Sequence, residues 1–329
     1  MKEKQIADKL LKEEVISEST YQKINSSFSG QLFSVGLEVK TLLYIGILLL
    51  STGLGVLVYK NIDSIGHVAI ISFIAIISIA CIFYANTKRQ PYTNGKVILT
   101  STLADYMLLL GCLTFATFMG YLQYQFSAFG PHNEISFLIP AILFFTMAYY
   151  FDHIGVLSMA ITALAGFVGV TITPLQVLSS NDLSGERIIF SGIFLGAVLV
   201  CSALVLDKKN IKKHFTFTYL NFAMHLLFIS ILAGMFMDNI WYLFVPILAL
   251  FSFLVIRYAY SERSFYFLVF AIIYTYIGLS DLFFRVLFSM DRQGDSFILL
   301  IPAYFIATSV YIVMFLRRAN KKIKPHDNI

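Results

Sequence analysis

The sequence predicts an all-α integral membrane protein of about ten transmembrane helices with a short cytoplasmic N-terminal helical head. Three observations carry that prediction. Only 13% of the 329 residues are charged and 58% are hydrophobic, with a mean hydropathy of +0.78, whereas a soluble domain carries about a quarter charged residues. The stretch TLLYIGILLLSTGLGVLVYKNID, residues 41–63, holds a charge-free run flanked by Lys40 and Lys60. About 20 such residues at 1.5 Å each span a hydrocarbon core of roughly 30 Å. The third observation is the way Lys and Arg sort between alternate loops.

Residues 1–40 form the head, with helical periodicity in which Ile6, Leu10 and Leu11 share one face and Tyr21, Ile24 and Phe28 another. Ser17 is the expected N-cap of the second head helix. The N-terminus has no apolar core of signal-peptide length, so the first span is expected to direct insertion itself. The bundle occupies residues 41–317, with spans at about 41–59, 65–84, 97–119, 136–151, 154–172, 188–206, 217–236, 240–256, 264–284 and 297–316. Only Asp152 and His153 separate the fourth and fifth, and their combined length predicts a tight hairpin. A basic tail, 318–329, closes the chain.

With the N-terminus inside, alternating spans put 20 of the 24 Lys and Arg on the inner side and leave Lys60, Arg187, Arg285 and Arg292 outside. A span count wrong by one would swap every later loop and destroy that asymmetry. The expected location is therefore a cytoplasmic membrane crossed many times, with both termini cytoplasmic. The formal charge of +5 follows from this loop bias and does not imply nucleic acid. Cys81, Cys112 and Cys201 all lie in apolar runs, without CxxC spacing, and read as small buried hydrophobes.

The head LLKEEVISESTYQKI, followed by GILLLSTGLGVLVYKNIDSIGHVAI, resembles bacterial predicted membrane proteins catalogued as domain of unknown function 2157. The resemblance covers roughly residues 7–75: a helical head, a glycine-bearing first span and a turn into the second. Asn61 and Asp63 fit the family's Asn-Trp-Asp-like turn, with Ile62 in place of the tryptophan. The resemblance implies a bacterial inner membrane location and this architecture, and no chemistry.

Phosphate-cradling, zinc-protease, nucleophile-elbow and calcium-loop motifs are absent from the sequence, which therefore predicts no enzyme, no catalytic residue, no cofactor and no metal ligand set. Ionisable residues at membrane depth cost a few kcal/mol each at a span centre, and they are the candidates that remain. Asp105 is expected about eight residues into span three and His225 about eight into span seven, both roughly 12 Å below the inner surface. Ser101 lies one turn before Asp105, and Asn221 one turn before His225. Such a pair suits proton relay or cation binding, because a carboxylate and an imidazole can share one proton. The alternative is that each residue makes an interhelical hydrogen bond that fixes packing. Asp281 and Arg285, at i and i+4, are expected to pair near the outer end of span nine. Gly192-x-x-x-Gly196 and Gly166-x-x-Gly169 predict close helix packing, while Pro140, Pro246 and Pro302 are placed to kink spans four, eight and ten.

Two function classes remain open. One is a carrier of a small molecule or lipid, whose substrate the sequence does not specify. The other is a non-transporting scaffold or sensor whose head binds a protein partner or a second copy. The lipid bilayer is the one partner common to both.

Overall fold

The computed structural model describes residues 17, 18, 20–22, 36–60, 66–97, 101–172, 185–237, 240–290 and 300–323. Asn61 and Asp63 of the expected turn, and most of the head, lie outside the described residues. Within the head, Ser17 does cap a helical turn: its Oγ accepts from the Thr20 amide at 3.4 Å, and its carbonyl accepts from the Thr20 and Tyr21 amides at 2.9 Å.

The described residues contain ten long helices and no strand. The helices are α1 (Gly36–Lys60), α2 (His67–Thr87), α3 (Thr102–Phe126), α4 (Ile135–Phe151), α5 (Ile154–Ile172), α6 (Glu186–Lys209), α7 (Phe215–Met235), α8 (Trp241–Ser261), α9 (Phe265–Met290) and α10 (Leu300–Ile323). Eight are long and apolar enough to cross a membrane, and two apolar stretches, Thr41–Leu57 in α1 and the 17-residue α4, are shorter. Seventeen residues reach about 25 Å, the lower limit for a span. The chain is thus an all-α polytopic membrane protein. It divides into two units, residues 1–70 and 71–329. The first contains α1, a 25-residue helix, and the second contains most of α2 and all of α3 to α10.

Short polar residues stop the helices. Ser127, Asp152 and Asn210 follow α3, α4 and α6 in the left-handed region, with φ of 45°, 60° and 52°. The Ser127 and Asp152 amides close onto the carbonyls of Gln123 and Ala148. Asn and Asp tolerate this conformation better than most side chains, which makes a sharp stop possible without glycine. Pro140 and Pro246 each lie inside a helix. Pro302 lies in α10 two residues after Leu300, and the residues that precede Leu300, 291–299, lie outside the described residues.

The core centres on α7, which buries Phe215, Tyr219, Ala223, Met224, Leu227 and Phe228, among others. One apolar cluster joins it to α3, α4, α5 and α6, and a second joins it to α6, α8 and α9. Lipid chains solvate Leu and Phe as well as a core does, so contact area alone gives helices little reason to associate. Close approach and interhelical hydrogen bonds must supply the specificity. Gly192 and Gly196 supply the first: a Cβ on either would collide with Ser230 or Leu227 of α7, so glycine permits the α6–α7 contact. Hydroxyl pairs supply the second. Ser78 Oγ donates to the Gly111 carbonyl at 2.8 Å across α2–α3. Tyr149 and Tyr219 meet at 3.1 Å across α4–α7, and Thr275 donates to Ser252 at 2.7 Å across α9–α8. Tyr276 with Thr308 and Ser280 with Tyr304 join α9 to α10 at 2.8 and 2.9 Å. Pairs of this kind average about 0.6 kcal/mol in a bilayer, so the set works by number.

Candidate functional site

Helix α3 begins at Thr102, not at 97, and this moves Asp105 to its first turn. Asp105 is therefore near the end of its helix, about 5 Å from the start, and not at the depth expected from hydropathy. A carboxylate there favours the helix dipole and avoids the membrane interior. Ser101 becomes the N-cap residue of α3, accepting the Ala104 amide on its carbonyl at 3.0 Å, with no hydrogen bond from its side chain to the cap.

His225 is the eleventh of the 21 residues of α7 and so lies at mid-helix. Its partners come from α9. Nδ1 is 2.8 Å from the Tyr274 hydroxyl and Nε2 3.0 Å from the Tyr266 hydroxyl, and Tyr266 in turn donates to Asn221 Oδ1 at 2.7 Å. The expected polar stripe of Asn221 and His225 thus exists and is bridged by a tyrosine. Both ring nitrogens are occupied, so neither is left for a carboxylate from Asp105. Phe270 closes edge-on against the imidazole, with centroids 4.7 Å apart. Asp281 and Arg285 pair at 2.9 Å, and Arg285 reaches further, donating to the Met235 carbonyl at the end of α7 and lying 5.5 Å from the Trp241 ring centroid.

The most strongly charged site was not singled out by sequence. Asp152, in the two-residue turn between α4 and α5, is 2% exposed and lies 3.1 Å from Lys212 Nζ, itself 1% exposed. His214 Nε2 approaches the other carboxylate oxygen at 2.6 Å, and the Val97 amide donates to Oδ2 at 2.5 Å. Lys212 also donates to the Gly95 carbonyl at 3.1 Å, and its ammonium lies 4.9 Å from the Tyr92 ring centroid. Three loops, α2–α3, α4–α5 and α6–α7, therefore converge on one carboxylate. Their convergence puts alternate loops on one face of the bundle, the face that carries Lys88, Arg89, Lys96 and Lys208 to Lys213, as an even alternation of spans requires.

His153 completes this corner from the other side. Its Nδ1 accepts the Val156 amide at 3.1 Å, capping α5, and the ring also hydrogen-bonds to the backbone of Asp105. An acceptor at Nδ1 leaves the proton on Nε2, so the ring is the neutral tautomer. Burial pushes its pKa down to about 4, against smaller opposing contributions from the Asp105 and His153 backbone and the Asp152 charge. Asp105 thus touches a histidine through its backbone, and that histidine is His153.

On the opposite face, Gln123 ties the loop after α3 by donating to the Gly130 carbonyl and to Asn133 Oδ1, and by accepting the Phe129 amide. His132 and Glu134 pair there at 2.9 Å. A backbone hydrogen bond, then the His132 ring, holds the Glu134 carboxyl below its usual range. Among the described residues no group of three or more His, Cys, Asp or Glu is arranged to hold a metal ion.

Residues 8–157 match the family model described as a predicted membrane protein, DUF2157. The match takes in Asp105, Asp152 and His153 and ends before Lys212 and His214. No curated protein and no solved structure gives a match.

Proposed function

We propose that this chain is a scaffold in the bacterial cytoplasmic membrane, with both termini on the cytoplasmic side and a head that meets a protein partner, and that it neither carries a solute nor catalyses a reaction. One observation supports this above a carrier. The polar group at the middle of α7, His225, has both nitrogens and its Asn221 neighbour satisfied by tyrosines of α9. A solute or proton site at the midplane needs groups left open to a ligand or to water. A satisfied neutral network fixes packing instead. The Lys and Arg asymmetry supports the orientation.

Cysteine accessibility tests the reading. With Cys81, Cys112 and Cys201 replaced by Ala, Asn221→Cys and Ser252→Cys variants in proteoliposomes are exposed to a membrane-impermeant maleimide from each side in turn. A scaffold leaves both unlabelled until detergent unfolds the bundle. Labelling of either from one aqueous side shows a water path to mid-bundle and selects the carrier.

A further inference from the structure

Helices α2 and α4 end on the same face, and between their last turns runs a groove of about 510 Å³ that is open along the bundle exterior. Ile79, Phe83 and Asn86 of α2 and Leu143, Met147 and Tyr150 of α4 line it. On each helix these positions recur at i, i+4 and i+7, one face over seven residues, so the groove runs about 10 Å inward from the Lys-rich face. Its walls are apolar and its end is polar. There the Tyr150 hydroxyl lies 3.5 Å from Asn86 Oδ1, and the Arg89 guanidinium is stacked 3.9 Å from the Tyr150 ring centroid.

Arg89 differs from the other cation at this corner. Lys212 is neutralised by Asp152, whereas the Arg89 guanidinium has no ion pair and no hydrogen-bonded acceptor among the described residues. The Tyr150 ring holds the guanidinium in place, and Arg89 remains partly exposed. Asp152, which lines the same corner, is already engaged by Lys212 and His214. A guanidinium is complementary to a phosphate, which it binds through two parallel hydrogen bonds. In a bilayer, a groove with Phe83 69% exposed is filled by acyl chain. Basic sites at the ends of spanning helices recognise anionic headgroups in this way.

We propose that α2 and α4 form a binding site for one anionic phospholipid, its phosphate on Arg89 and one acyl chain along the groove from Tyr150 to Ile79. The site stands whether or not the scaffold reading holds.

The full-length protein in neutral detergent is titrated with phosphatidylglycerol, phosphatidylcholine or glycerol phosphate, and bound lipid is counted by native mass spectrometry alongside the melting temperature. Phosphatidylglycerol should bind about tenfold more tightly than phosphatidylcholine, and Arg89→Gln should remove that preference. Thr146→Trp, at an exposed groove position, should weaken both lipids. Equal binding of the two lipids, or an unchanged preference in Arg89→Gln, overturns the site. Protection by glycerol phosphate equal to that by phosphatidylglycerol overturns the role of the chain and groove. For variants that do not fold, the wild-type chain gives the answer with a phosphatidylglycerol carrying a photoreactive acyl chain. Crosslinks concentrated on Phe83 and Met147 support the site, and crosslinks spread evenly over the exposed faces of α8 and α9 refute it.

Discussion

At the Lys-rich face a full ion pair, Asp152 with Lys212, is withdrawn from solvent to 2% and 1% exposure. At mid-span the most polar group, His225, meets only hydroxyls and aromatic edges. The two networks differ in where their members come from. The first is assembled from three loops, whose charges wait in water until the helices dock. The second is built from side chains that must enter the hydrocarbon with their helices, where a charge costs a few kcal/mol and a neutral group with its own partners much less. The ion pair also needs more support than Coulomb attraction, because desolvating two charges offsets most of it. That support is visible in the Val97 amide, the Gly95 carbonyl and His214. The comparison predicts that disrupting the loop face destabilises the protein more than disrupting the midplane.

The largest effect should come from Lys212→Met, which leaves Asp152 buried with only His214 and the Val97 amide. Unfolding in detergent should lose roughly 3 to 5 kcal/mol, and the double variant with Asp152→Asn should lose less than the sum of the singles. A loss under about 1 kcal/mol would place the pair in the class of surface bridges and remove the contrast.

The next effect depends on pH. His153 has a folded pKa of about 4 against 6.5 for the free side chain, so the unfolded chain binds more protons between those values. Stability from this group is complete above about pH 6.5 and is lost as pH falls toward 4. The full loss is roughly 3 kcal/mol, at 1.36 kcal/mol per unit. His153→Gln should flatten the melting temperature against pH across that window relative to wild type. An unchanged slope would mean that the ring is not buried in its neutral form.

At the midplane, His225→Phe leaves the Tyr266 and Tyr274 hydroxyls without the imidazole and should cost about 1 to 2 kcal/mol in the same unfolding measurement. A loss larger than that of Lys212→Met would reverse the comparison. The smallest effect belongs to Asp281→Asn. Its partner Arg285 is 28% exposed and keeps the Met235 carbonyl, so a loss below about 1 kcal/mol is expected.

The helices were legible in the sequence because apolar length is a local property, and α4 and α5 were separable because two polar residues suffice for a left-handed stop at Asp152. The ion pair at Asp281 and Arg285 was legible for the same reason, being one turn apart on one helix. The Asp152 network was not, because its members sit at 97, 152, 212 and 214, and in a chain this apolar each reads as loop polarity or as topogenic charge. Hydropathy sets Asp105 too far into its helix because the apolar run begins at Val97. In the structure α3 starts at Thr102, and the Val97 amide serves the Asp152 carboxylate. The partners of His225 were hidden among 19 tyrosines, which hydropathy treats as ordinary membrane residues.

The three-loop junction also sets an order of assembly. The hairpin of α4 and α5 is complete at Ile172, 40 residues before Lys212, and at about 5 to 20 residues per second it exists for roughly 2 to 8 s before the counter-charge of Asp152 is synthesised. Through that interval the turn has to stay hydrated, so the hairpin cannot settle into its final depth against α3. Arrival of the α6–α7 loop therefore acts as a latch, drawing the first half of the bundle into place only after the second half has begun to insert.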